Sequence, residues 1–579
     1  MRRVLKTRFL FIPGLALTLL LAACSATVQP TPVAEVEPLA TAVPVVVPAP
    51  PTPLPTATPV PTPVVSAAPN GQRGGSLTIA ALADIPHRDV HQSSQETLTT
   101  LGPGLAYSRL LRLRTGPQLD QPSLLLECDL CQSWQLNDDF SYQFQLRPDV
   151  RWQNIAPVNG RPLVADDLVY SYQRLQTPGW PSAHRFADRG IGDIEAVDSH
   201  TLRVSLNFLD SDALLALADG HSKIVAPEVV AQYGDLKDSP VVGTGPWVWE
   251  ESAPGVGTRL TANPDYFEAG LPFLDALDIR VVQSSGGAGA VAGPEPLAAF
   301  QTNLVDLLAV SPTEWQQLYA SNLEFNTVLS HQAGAGILFS LNTQSAPLDN
   351  LIVRQSVLQA LDPWAYVDVV WAGQGSVGVG LPVPGPEWRL PSREMRNNYF
   401  ASPSEARNVM VAQGIPIPLD LELSVSDAGD TYLQLAQQVA DNMRVAGFNA
   451  RVRALHPAHF NEVVLGPERD YQLALGPLPA INTTNGYLFA LLHSQGPGNI
   501  SGHQDQTLNA MIEAQAGEFD PERRREQLLA IQRHVLEQAY LFSPVSSSYR
   551  WVFDWNLQGF HPNNSLSEYN HWSRVWLEQ

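Results

Sequence analysis

The sequence predicts an α/β fold with more than one lobe, and three observations carry that expectation. The chain has 579 residues, well beyond the span of one ordinary core, so two or more lobes are expected. From about Gly74 to Gln579, strand-like and helix-like segments are interleaved throughout. No internal repeat is visible, which sets repeat architectures aside.

The elements follow in order. Leu77-Thr78-Ile79-Ala80 and Leu202-Arg203-Val204-Ser205-Leu206 read as strands by residue type or alternation. Tyr142, Phe144 and Leu146 alternate as a half-buried strand. Asp166 and Asp167 suit the first turn of a helix, where negative charge complements the dipole; Val164 stands before them without a capping side chain. Gly243-Thr244-Gly245-Pro246 is turn chemistry suited to a crossing between lobes. A helix runs from Tyr432 through Leu435, Val439 and Met443 to a stop at Gly447, followed by the strand-like Asn449 to Leu455. Asp520 is an N-cap with Pro521 at the first helical position, and Leu528, Ile531, Val535 and Ala539 share one face.

The N-terminus speaks to address. Arg2, Arg3, Lys6 and Arg8 precede an apolar run from Phe9 to Leu21, then Ala22, Ala23 and Cys24. That is the layout of a secretory leader. A run of about a dozen apolar residues is short of the roughly 20 a permanent span needs, and Pro13-Gly14 interrupts it. Leu21-Ala22-Ala23-Cys24 resembles the lipobox of bacterial lipoproteins, which implies acylation of Cys24 and cleavage before it. An ordinary signal peptide with an incidental cysteine is the alternative, and Arg2-Arg3 admits twin-arginine export. Several acyl chains hold a soluble domain at a membrane where one would exchange.

From Pro30 to Pro69, prolines recur with Thr, Val and Ala, and Glu35 and Glu37 are the sole charges. Such a tract cannot bury a core; it reads as an extended stalk on the order of 100 Å long at about 3.1 Å per residue. The formal net charge of the chain is −22. This argues against nucleic acid as a partner, and anionic lipid would repel the globular part, leaving the acyl anchor as the membrane connection.

Three ordered stretches resemble a known family. The first runs from Trp134 through Arg147-Pro-Asp-Val150-Arg-Trp152 and Asn159-Gly160-Arg-Pro162 to Ala165-Asp-Asp-Leu-Val-Tyr170. The second is Gly243-Thr-Gly-Pro-Trp247 with Asn263-Pro-Asp-Tyr-Phe267. The third is Phe339-Ser-Leu-Asn-Thr343, Pro347-Leu-Asp349 and Val353-Arg-Gln355 leading to Ala360-Leu-Asp362. In that order they resemble the extracellular solute-binding proteins, family five, of ABC importers, the oligopeptide- and dipeptide-binding proteins.

That resemblance implies a two-lobed, periplasmic-binding-protein-like clamp of type II, in the large three-segment form with an extra subdomain in the first lobe. The divisions expected are a signal peptide over 1–23, a Pro-rich stalk over 24–71, a first lobe from 72–112, 235–335 and 540–579, the extra subdomain over 113–234, and a second lobe over 336–539. It also implies a monomeric clamp that closes on a peptide, modified peptide or oligosaccharide, is read by permease subunits, and uses no cofactor, metal or catalytic residue. Occupancy would then set the closed population.

Family members carry an approximate glycine-tryptophan-x-alanine-aspartate-tyrosine segment whose aspartate meets the ligand ammonium. The corresponding stretch here is Gly476-Pro477-Leu478-Pro479-Ala480-Ile481, with Asn482 to Tyr487 after it. Ala480 stands in the acidic position, and a buried ammonium without a counter-charge is costly, so the solute is expected to be neutral or differently charged unless another acid substitutes. Pro477, Leu478, Pro479, Ala480 and Asn485 are the candidate contacts from the second lobe. Asp89-Val90-His91 stands where relatives have aspartate-proline-histidine, and Gln92, Ser93 and Ser94 are the candidates from the first lobe.

Other motifs are weaker. Gly373-Gln-Gly375-Ser-Val-Gly378 fits the dinucleotide spacing but follows a helix-like segment, without the required strand. His87 and His91 have i, i+4 spacing, yet Arg88 occupies the place of a catalytic glutamate. Cys128 and Cys131 suit a local disulfide or two packed thiols, with no further C-x-x-C to complete a zinc site. Trp388 and Tyr399 suit either the cleft or lobe packing. A surface-tethered hydrolase of wall or environmental polymer is the rival reading, and a sensory lipoprotein with the same clamp a third. The sequence contains no G-x-S-x-G or H-E-x-x-H, although a carboxylate pair is easily hidden among 57 acids.

Overall fold

Alternation decides the first strand. In Ser76–Ala81, Leu77, Ile79 and Ala81 are buried while Ser76 lies exposed and Thr78 and Ala80 are half-buried, the period-two signature of a sheet with a heavier face. The computed structural model describes residues 71–283, 293–321, 323–479, 481–563 and 568–579. The leader, Cys24, the stalk up to residue 70 and Ala480 lie outside these residues.

An eleven-stranded mixed sheet runs through the molecule. Its order is Phe448–Leu455, Leu419–Ser426, Leu473–Leu478, Asn326–Leu341, Leu541–Phe553, Leu307–Val310, Ser76–Ala81, Ala276–Val281, Gly257–Ala262 and Trp247–Ala253, with Ser376–Gly378 paired to Leu541–Phe553 off this path. Parallel pairs lie on both sides: Leu419–Ser426 pairs with Phe448–Leu455 and with Leu473–Leu478, and Ser76–Ala81 with Ala276–Val281. Between these halves run the two long antiparallel strands Asn326–Leu341 and Leu541–Phe553.

Those two strands belong to both lobes. Asn326 to His331 pair with Phe553 to Ser548, beside the first-lobe strand Leu307–Val310. Gly336 to Leu341 pair with Leu478 to Leu473 of the second lobe. Register is lost between His331 and Gly336, at the passage from one lobe to the other. Crossing strands of this kind are how the two α/β lobes are joined.

The cores are separate. One gathers Leu77, Ile79, Trp247, Leu260 and Leu277 with Phe560, Tyr569 and Trp572 from the C-terminal segment. A second packs Phe144, Trp152, Leu168, Tyr172 and Leu202 around the four-stranded antiparallel sheet Cys131–Leu136, Tyr142–Leu146, Thr201–Leu206, Ile191–Asp198; this is the extra subdomain of the first lobe. A third spans the second lobe, from Ile337 and Phe339 to Leu541 and Phe542.

Helices form where the sequence pattern places them. Asp430–Ala446 buries Leu435, Val439 and Met443 and ends at Gly447, whose φ of +98° is the left-handed geometry that favours glycine. In Pro521–Gln538, Asp520 accepts a hydrogen bond from the Arg523 amide, and Leu528, Ile531 and Val535 face the core. Asp166 and Asp167 open Ala165–Leu175. Val164 supplies no side-chain acceptor; the Asp167 carboxylate instead accepts from the Val164 amide at 3.0 Å and from Trp152 Nε1 at 3.2 Å, and takes a two-pronged contact from Arg161 at 2.7 and 2.8 Å.

Gly243-Thr-Gly-Pro246 differs from the expectation of a crossing between lobes. It links the extra subdomain to the strand Trp247–Ala253 and packs on the turn Pro103–Ala106 inside the first lobe. A Cβ at Gly243 would lie 1.8 Å from the Ala106 carbonyl oxygen, so close backbone approach is what the glycine provides. Cys128 and Cys131 are joined in a disulfide between the strands Leu126–Cys128 and Cys131–Leu136. Trp388 is buried in the second-lobe core and Tyr399 packs against it.

Candidate solute cleft

The first-lobe side follows the strand Ser76–Ala81. Asp89, fully buried, receives Arg174 Nη1 at 3.0 Å and Nη2 at 2.6 Å, the Leu236 amide at 3.2 Å and the His91 amide at 3.1 Å. Burial raises its pKa, but the Arg174 contacts outweigh burial and hold the carboxyl below the usual range. His91 Nε2 meets the Lys223 carbonyl at 2.9 Å. Burial lowers the pKa of this imidazole to about 3, so the ring is neutral at physiological pH. The Asp-x-His turn therefore ties the first lobe to its extra subdomain. Gln92 belongs to the same knot, its Nε2 donating to Asp89 Oδ2 at 2.9 Å. Ser93 accepts from the Gln95 amide at 3.1 Å, and Ser94 is exposed.

On the second-lobe side, Gly336 lies opposite Leu478 and Ile337 opposite Pro477. Leu478 packs in the second-lobe core, while Pro477 and Pro479 are half-buried. Gly476 runs against the Phe460 ring, 2.5 Å from where a Cβ would be.

Asn485 is placed somewhere the sequence did not announce. It is buried, and it joins the second lobe to the extra subdomain. Its amide donates to Asp212 Oδ2 at 2.6 Å and its Nδ2 to Asp210 Oδ1 at 2.5 Å. Arg524 Nη2 donates to Asp212 Oδ1 at 2.7 Å and to Asn485 Oδ1 at 3.2 Å, and Gln515 Nε2 reaches Asn485 Oδ1 at 2.8 Å. Ser211 adds two hydrogen bonds to the Ala516 carbonyl, from its amide at 2.8 Å and its hydroxyl at 2.9 Å. Burial, then the Asp212 charge, raises the Asp210 pKa. The side chains of this knot satisfy one another, so it sets how two bodies meet and leaves Asn485 with its polar atoms occupied.

The floor is the strand crossing. His331 is opposite Ser548, and Ser376 is opposite Ser546 on the other edge of the same strand. Ser548 Oγ donates to the Gln374 carbonyl at 2.8 Å, and Arg389 Nη1 donates to Ser376 Oγ at 3.3 Å. Gln121 of the first lobe reaches the floor, accepting from the His331 amide at 3.2 Å. A separate apolar groove of about 610 Å³ lies between the helices Gln506–Ala516 and Pro521–Gln538 and is lined by second-lobe residues alone.

The sequence singles out the turn after the first strand and the stretch around residue 480, and does not single out Asp210, Asp212 and Arg524. Arg524 sits inside the charged run Glu522-Arg-Arg-Arg-Glu526, where every residue reads as solvated helix surface. The one available signal was Asp210-Ser-Asp212 ahead of an apolar helix, which local cap chemistry explains equally well.

Comparison with known proteins agrees with this architecture. Among curated relatives, heme-binding protein A of Haemophilus influenzae is 28% identical over 332 residues, covering 54% of this chain and 56% of that protein. The probable di/tripeptide-binding protein 5 of Pseudomonas aeruginosa is 27% identical over 413 residues, covering 66% and 72%. The crystal structure of an ABC transporter substrate binding protein, CtaP of Listeria monocytogenes, superposes with a TM-score of 0.71 at 18% identity, covering 87% of this chain and all of that one. At that identity the likeness is one of fold. Residues 126–499 match the profile "Bacterial extracellular solute-binding proteins, family 5 Middle", and with more than half its length matched the chain belongs to that family of extracellular solute-binding proteins.

Proposed function

We propose that this protein is a membrane-tethered, extracytoplasmic clamp that binds a peptide or peptide-like solute between its lobes and hands it, chemically intact, to an ABC importer. The observation that carries this reading is the floor: two cores joined by a single pair of crossing strands whose pairing slips between His331 and Gly336. Few backbone hydrogen bonds resist bending at such a slip, so solute contacts to both lobes are able to set the lobe angle. Peptides are the first solute class to test, because relatives are named as di/tripeptide-binding proteins. The division into a first lobe, extra subdomain and second lobe at about residues 112, 235, 335 and 540 is part of this proposal; the separation of the second-lobe core from the others supports it, while the core of the extra subdomain also draws in Val90, Leu111, Leu236 and Val242 from beyond those bounds.

The tether rests on the lipobox-like Leu21-Ala22-Ala23-Cys24 and the proline-rich tract behind it. Metabolic labelling with an alkyne fatty acid tests it: the chain acquires label, and Cys24→Ala abolishes it. An unlabelled, membrane-free wild type rejects the tether.

The binding reading is tested by thermal unfolding of the purified protein with peptide pools, with mass analysis of the pool afterwards. A saturable rise in midpoint with every peptide recovered uncut is expected. Recovery of cleaved peptide favours the hydrolase reading.

A further inference from the structure

Among the described residues, Arg389 is a cation without a counter-ion. It follows the short turn Pro386–Trp388 and is half-buried at the floor of the crossing. Among the described residues no carboxylate pairs with it, and its one side-chain hydrogen bond is to the hydroxyl of Ser376. Burial alone lowers its pKa, to about 10, so it remains charged at neutral pH. In a chain with 57 acidic residues against 35 basic ones, a shielded guanidinium with no acid beside it is anomalous, since an uncompensated charge removed from water is unfavourable.

Two other buried groups of the same crossing also lack a hydrogen-bond partner. Gln374 is buried and its Nε2 has no hydrogen-bond partner. It stands two residues before Ser376, in the Gly373–Gly378 stretch that has the dinucleotide spacing but lacks the strand-turn-helix setting. His331 Nδ1 is likewise buried and unpartnered. Burial, then the charge of Arg389, lowers the His331 pKa, so the ring is neutral and free to donate or accept. Ser376 opens the strand Ser376–Gly378 and His331 lies in Asn326–Leu341, and both strands pair with Leu541–Phe553; Gln374 and Arg389 lie in the segments on either side of Ser376–Gly378.

We propose that Arg389, with Gln374 Nε2 and Ser376 Oγ, forms an oxyanion subsite at the lobe crossing, and that the solute presents a carboxylate or phosphate group there. A guanidinium offers parallel N–H donors to a planar or tetrahedral oxyanion, and an amide N–H adds a neutral donor. The anion supplies the missing counter-charge, so binding removes the penalty that the empty floor carries. This inference rests on the solute-binding reading above and names the charge of the solute. The recognition charge is thus cationic and sits at the crossing.

The test uses the full chain in detergent, read by thermal unfolding. The probes are a pool of free-acid tripeptides, the same sequences as C-terminal amides, and sodium phosphate. The free-acid pool is expected to act at concentrations on the order of 10- to 100-fold lower than the amide pool, the scale of a lost charged hydrogen bond. Arg389→Gln removes that difference and raises the midpoint of the solute-free protein. Gln374→Leu weakens the free-acid response by a smaller factor and serves as the comparison if Arg389→Gln fails to fold. Equal response of the wild type to both pools overturns the subsite while leaving the clamp reading intact. Response to phosphate alone, lost in the variants, retains the subsite and overturns the peptide class. No response to any probe, or a folded Arg389→Gln with unchanged free-acid preference, overturns the subsite.

Discussion

Replacing Arg524 with methionine tests whether the knot between the second lobe and the extra subdomain is a buried ionic joint. Arg524 and Asp212 are 6% and 4% exposed, with 2.7 Å between Nη2 and Oδ1. An exposed pair would contribute about 0–1 kcal/mol, but removing one partner of a buried pair costs about 3–5 kcal/mol, because the remaining charge stays desolvated. Here the remaining charge is double: among the described residues, Asp210 and Asp212 would keep Arg189 as their one paired cation, 3.4 Å from Asp210. A local penalty of that size raises the opening probability on the order of 100-fold or more. Amide hydrogen exchange reports it at Ser211, which donates to Ala516, and at Asn485, which donates to Asp212. The double variant Asp212→Asn, Arg524→Met removes both charges and should recover roughly half of the lost protection. The raised Asp210 pKa adds a sign. Its stabilising contribution is present below the unfolded carboxyl range and is lost as pH rises through the folded value. The penalty of Arg524→Met should therefore shrink on acidification. Exchange at Ser211 and Asn485 within about threefold of wild type, in both variants, would refute an ionic joint and reduce the knot to packing.

Three further outcomes follow from local geometry. Gly243→Ala should cost about 3 kcal/mol in urea unfolding of the first lobe, since the added carbon meets the Ala106 oxygen at 1.8 Å; Gly429→Ala, where nothing lies within 4 Å, should cost about 1 kcal/mol or less. Asp89→Asn should destabilise by about 3–5 kcal/mol near neutral pH, leaving the buried Arg174 facing a neutral amide, as read by the same unfolding titration. Glu268, half-buried beside Arg112 and Arg574, has its pKa lowered to about 2; burial opposes the shift, and the two guanidinium groups outweigh it. It should contribute about 3 kcal/mol above pH ~4.5, lost as pH falls through about 2, so the stability gap between wild type and Glu268→Gln should close on acidification.

What was legible and what was not divides along the distance over which each feature is decided. Helix Pro521–Gln538 was readable because its cap, first-turn proline and apolar face all lie within one segment. Gly447 was readable as a stop because a left-handed turn is a local demand. Gly243 was recognised as a turn, but its partner, the Ala106 carbonyl, comes from a segment more than a hundred residues earlier, so its role inside the first lobe stayed hidden. The binding surface is harder still. Asn485 was singled out because it follows the stretch that resembles the family's ligand segment, and its partners Asp210 and Asp212, 275 and 273 residues away, could not be read from that stretch. Arg389 is the limiting case, since its importance is a relation of exclusion. No pattern around Trp388-Arg389-Leu390 says that, among the described residues, no acid comes to rest beside that guanidinium; only the packed crossing decides it. The scaffold was therefore written in residues that satisfy neighbours in sequence, whereas the proposed recognition charge is conspicuous because the fold leaves it unsatisfied, which is the condition for a solute to be the group that completes it.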